Sequence, residues 1–166
     1  MQALTSLLNQ PEYAHVLTNH FPLVGLLVAM GALGAALAAR NRVATIIGLA
    51  LVGLLSLSAW PVYHYGEAGY DRVLSMTDEA GAAYLNYHKE LAERWVFLYF
   101  VTAGVAGVGL AAARKWPASL PFTSVLALVF AALSLAAGVF VARAGGEIRH
   151  REFRQGSPPP HHEQAP

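Results

Sequence analysis

The chain has 166 residues, is 55% hydrophobic but only 13% charged, and carries a formal net charge of +1. That balance excludes the strongly basic face that nucleic-acid binding calls for, and its charge-free stretches of about 20 residues suit a bilayer rather than a soluble core. The sequence contains no cysteine, which excludes disulfides, thiolate zinc sites, iron–sulfur clusters and a cysteine nucleophile.

The first apolar run covers residues 16–39 and contains His20. No Lys or Arg precedes it, so the basic n-region of a signal peptide is missing and the run is expected to be a retained membrane helix. Arg40-Asn41-Arg42 joins it to a second run, residues 43–62. A long polar link follows, from Tyr63 to Arg94. Within it, Ser75-Met76-Thr77-Asp78 has the capping-box pattern, and Lys89/Glu93 and Glu90/Arg94 stand at i,i+4. The third helix is therefore expected to start near Asp78, outside the membrane. The third run, residues 95–113, is joined by Arg114-Lys115-Trp116-Pro117 to the fourth, residues 120–142. The remainder, residues 145–166, holds Ser157-Pro158-Pro159-Pro160 and the pair His161 and His162, and reads as a disordered tail.

Each run is close to the ~20 residues that cross ~30 Å of hydrocarbon. Loops as short as the first and third force antiparallel neighbours. The fold expected is an all-α integral membrane four-helix bundle of two antiparallel hairpins over residues 1–144. The long link and both termini then share one side, opposite the short basic loops. Arg40 and Arg42 at the tip of the first hairpin put the short loops in the cytoplasm and the other side in the periplasm of a bacterial inner membrane. Small residues four apart, Gly34/Ala38, Ala44/Gly48 and Ala103/Gly107, suit close helix packing, within the bundle or with a membrane partner or second copy. Ser56, Ser58 and Ser134 read as packing hydroxyls.

The topology gathers polar residues at one end. His15 and His20 open the first helix, His64 and Glu67 follow the second, and His88 precedes the third apolar run. Pro22 and Pro61 free the carbonyls of Thr18 and Leu57 at the same level, and such carbonyls need a protein or water partner there. His20 lies about 6 Å inside the first run, where an ionisable group suggests function. His88 shares a helical stripe with Tyr84, Leu91 and Trp95. Two chemistries use such a cluster. Haem b takes two neutral imidazoles from facing helices, here His20 and His88. A transition metal takes histidine and carboxylate, here from His15, His20, His64, Glu67 and His88. No specific metal motif is present, and a cofactor-free accessory subunit of a larger membrane complex accounts for the same features.

The run His15-Val-Leu-Thr-Asn-His20-Phe21-Pro22-Leu-Val-Gly25 resembles a family of uncharacterised four-helix bacterial membrane proteins. Their first helix opens on a histidine and then His-Phe-Pro. The likeness continues through Tyr63-His64-Tyr65-Gly66-Glu67-Ala68 to His88, over residues 13 to 113. Lys89 stands where that family's pattern has Glu, with Glu90 next. The resemblance implies the architecture and the choice of histidines, and no activity.

Overall fold

The computed structural model describes residues 9–156 and residue 159. These residues are helical throughout, without a strand among them. Four helices, α1 (Pro11–Ala38), α2 (Arg42–Leu74), α3 (Glu79–Lys115) and α4 (Pro117–Arg149), are each long and apolar enough to cross a membrane. All four extend past the apolar runs, because polar flanking residues with good helix propensity continue the backbone bonding.

Local chemistry sets the helix ends. Between α1 and α2, Arg40 takes a positive φ of 52° and Asn41 caps α2, its side chain accepting the Ala44 N–H at 3.0 Å. Asp78 caps α3, accepting the Gly81 N–H at 2.8 Å. The start near Asp78 is as expected, but Ser75 does not cap it. Ser75 ends α2 instead, its hydroxyl donating to the Arg72 carbonyl at 2.8 Å.

Pro61 does not stop α2. The helix loosens at Ser58, whose hydroxyl donates to the Leu55 carbonyl at 2.6 Å, and then runs on to Leu74. Much of the expected link is therefore an extension of α2. In α1, Pro22 sits in a π-helical turn, Phe21–Gly25. The wider turn absorbs the N–H that proline lacks.

The core lies between all four helices, where residues 26–38, 42–57, 97–115 and 120–131 pack together. Leu26, Leu33, Leu49, Val52, Ala106, Ala127 and Ala131 are fully or almost fully buried there. Gly48 lets α2 approach α1 so closely that a Cβ would stand 2.9 Å from Leu33 Cα. The other glycines of the expected small-residue pairs, Gly34 and Gly107, face open space. Thr102 and Ser134 bond each other across α3 and α4 at 2.9 Å, whereas the buried Ser56 hydroxyl lacks a partner among the described residues.

At the other end the helices separate into pairs. The start of α1 packs along the second half of α2, and the first half of α3 packs along the end of α4. The backbones of residues 59–74 and 79–95 stand apart over most of their length, and the two segments meet through side chains: Tyr70 and Val73 pack on Tyr84, Leu85 and Ile148, and Tyr70 bonds Asn86. A cleft opens between the pairs.

The chain after residue 145, expected as a disordered tail, is helical to Arg149 and then forms a short 3-10 turn, Arg151–Phe153. Arg154 holds this segment in place. Its guanidinium bonds Asp78 through both nitrogens at 3.0 Å and the carbonyls of Glu147 and Ile148 at 2.7 and 2.6 Å. It thus ties the capping residue of α3 to the last turn of α4. Arg154, and then the Gly81 N–H, hold the Asp78 carboxyl down at about 2. His161 and His162 lie outside the described residues.

Candidate functional site: a histidine pair in the cleft

His15 comes from the first turns of α1, His88 from the extension of α3. Their rings stand at 88° to each other with centroids 6.1 Å apart. Each is held in the same way. His15 Nδ1 donates to the Val62 carbonyl at 2.8 Å, and His88 Nδ1 donates to the Val141 carbonyl at 2.8 Å. A carbonyl only accepts, so the proton of each neutral ring sits on Nδ1 and the lone pair is left on Nε2. This is how ligating histidines are oriented by an outer hydrogen bond.

A glycine one turn beyond each carbonyl makes room for each ring. A Cβ on Gly66 would lie 3.0 Å from His15 Nδ1, and one on Gly145 would lie 3.1 Å from His88 Nδ1. The unit of histidine, valine carbonyl and glycine therefore occurs twice, once in α1 with α2 and once in α3 with α4.

The duplication extends over the lining of the cleft. His15, Asn19, Pro22 and Leu23 of α1 recur in spacing as His88, Ala92, Trp95 and Val96 of α3. Ala59, Val62 and Tyr63 of α2 recur as Gly138, Val141 and Ala142 of α4. The cleft thus has an approximate twofold arrangement, with one imidazole from each half. Tyr99 adds a buried phenol at the inner end, seated on Gly138.

The other sequence candidates lie elsewhere. His20 is exposed and bonds the Val16 carbonyl of its own helix at 3.2 Å. It follows His15 by about 140° of helix rotation, so the two cannot face one cleft. His64 is exposed and stacks on Trp60, with centroids 5.6 Å apart. Glu67 is exposed and pairs with Lys89 at 3.6 Å, and Lys89 also reaches Glu93 at 3.7 Å. The described residues contain no group of three or more His, Asp or Glu side chains placed to hold a metal ion. Gly145 and the carbonyls of Val62 and Val141 were not singled out in the sequence, and Gly66 entered only as part of the Tyr63–Ala68 element. The signal was a Val-x-x-x-Gly spacing in both α2 and α4, hidden among many small residues.

No family model matches this chain, and no curated protein or solved structure matches it either.

Proposed function

We propose that this chain is a multi-pass redox protein of the bacterial inner membrane that holds haem b between His15 and His88 and passes electrons. The four helices cross the bilayer as two antiparallel hairpins, with the cleft at the periplasmic face. Exposed side chains support this placement. Val28, Val43, Leu54, Phe122 and Phe140 are each about two-thirds exposed, a surface suited to lipid rather than water. Trp60 and Trp95 mark one boundary and Trp116 the other, as interfacial aromatic belts do. Trp95 and Trp116 are about 31 Å apart along α3, close to the hydrocarbon thickness. His88 then stands about 10 Å outward of Trp95, at headgroup level.

The observation that carries the haem reading is the matched histidine pair. Two imidazoles bound through Nε2 to one ion stand roughly 6 Å apart between centroids, given metal–nitrogen bonds of about 2 Å and the half-width of each ring. The observed 6.1 Å fits. A bare ion would find only these two ligands among the described residues, whereas haem iron brings four of its own and needs two more. Haem held by His15 and His88 would supply one-electron chemistry. The chain's part is to present two neutral imidazoles, fix their tautomers through Val62 and Val141, and line the space with apolar side chains.

The test is the visible spectrum of the detergent-purified protein. A Soret band that is lost in His15→Ala and in His88→Ala, and kept in His20→Ala, supports the proposal. A colourless preparation from haem-replete cells sinks it.

A second reading, a cofactor-free subunit of a larger membrane complex, is favoured by Gly34 and Gly107. Both face open space on the outer surface, where a partner helix can pack closely. Copurification of a stoichiometric partner with a colourless protein selects it.

A further inference from the structure

The twofold arrangement of the cleft has a consequence for any ligand lying on its axis. Haem carries unlike groups, vinyl and methyl, on its two sides. Half a turn about the line that relates His15 to His88 exchanges those sides while leaving the iron and both imidazoles in place. A perfectly symmetric cleft accepts both settings equally.

This cleft is symmetric in backbone and ligands but not in bulk. About one turn inward of the histidines the first half presents Asn19 where the second presents Ala92, and beside the valine carbonyls it presents Tyr63 where the second presents Ala142. About two turns inward the imbalance reverses, with Trp95 in the place of Pro22. The cleft is therefore narrowed on one side near its mouth and on the other side further in. A planar ligand whose two edges differ in size meets different walls in its two settings.

We propose that Asn19 and Tyr63 decide which way round the cofactor sits in an otherwise twofold cleft. This rests on the haem reading above. Neither residue is an iron ligand, and the amide and phenol act through their volume, with no alteration to the iron's own ligands.

Paramagnetic proton NMR of the ferric holoprotein tests it, since each setting gives its own set of shifted haem-methyl resonances. The wild-type protein is expected to show one dominant set. The double variant Asn19→Ala, Tyr63→Ala is expected to raise the minor set at least about threefold relative to the major one in the haem-loaded protein. Ala142→Tyr, which adds bulk to the opposite half, is expected to move the ratio the same way and covers the case in which the double variant does not fold. An unaltered ratio in haem-loaded variants overturns this inference alone. A protein without a Soret band overturns the haem reading instead.

Discussion

The carbonyl of Val141 accepts the Nδ1 proton of His88 at 2.8 Å, the same distance at which Val62 accepts that of His15. Two rings from different helices are thus fixed in one tautomer by carbonyls of a packed neighbour. Orientation of this kind sets ligand strength without touching the ligand.

The glycines under the rings are the most direct place to disturb it. Gly66→Ala and Gly145→Ala each put a methyl about 3 Å from an imidazole, which must then turn away from its carbonyl. On the haem proposal, each substitution is expected to lower haem affinity about 10- to 100-fold, the usual cost of losing an outer-sphere partner. Titration of the apoprotein with haem, followed at the Soret band, measures this. The helical circular dichroism is expected to stay close to wild type.

Gly48 and Gly107 make a paired test of the packing. Gly48→Val places side-chain atoms against the Leu33 backbone, and overpacking of this sort costs about 1–3 kcal/mol. Gly107→Ala meets nothing within 4 Å and is expected to leave the monomer's stability unchanged or slightly raised through better helix propensity. Unfolding of both variants in mixed detergent, read by circular dichroism, separates these outcomes. Equal stability for the two variants contradicts the packing described.

Thr102 and Ser134 share a buried hydrogen bond between α3 and α4. Thr102→Val keeps the shape and removes this bond together with the one its hydroxyl donates to the Leu98 carbonyl. On the membrane placement proposed above, the expected loss for the Thr102–Ser134 pair is about 0.6 kcal/mol. A double-mutant cycle with Ser134→Ala reports the coupling directly.

The Asp78 carboxyl is held at about 2, below its usual 3.8, by Arg154 and the Gly81 N–H. Its folded value is the lower one, so its contribution to stability is full above about 4. That contribution is lost as the pH falls from there through about 2. Asp78→Asn is expected to remove this pH dependence and to loosen residues 150–156, which Arg154 ties down. Hydrogen exchange of the last turn of α4 at pH 6 is the measurement. Unchanged protection in the variant contradicts the role of the clamp.

Much of this molecule follows from local chemistry. Four long charge-poor runs dictate four apolar helices, because a bonded backbone with a greasy exterior has few other forms. The same runs, with short basic turns between the first two and the last two, bring His15, His64 and His88 to one end. A helix start near Asp78 was legible from the polar signals there, but its cap was not, since the box pattern pointed to Ser75 and Asp78 itself is the cap. How far α2 carries on past Pro61 was not legible either, since a proline costs the helix a backbone bond and only packing decides whether the continuation is held. Residues 59–74 are held in just that way by the start of α1.

Which histidines meet is a matter of azimuth, and each residue turns the side chain by about 100°. His20, five positions after His15, accordingly points outward. A π-helical turn at Phe21–Gly25 then shifts the phase for the rest of α1. The sequence by itself determined the number of helices and the height of each imidazole, because hydropathy and bonding act along the chain. Only the tertiary structure decided that His15 and His88 face each other, because helix rotation is set by close packing at Gly66, Gly145 and Gly48, and no run of residues encodes its partner's shape.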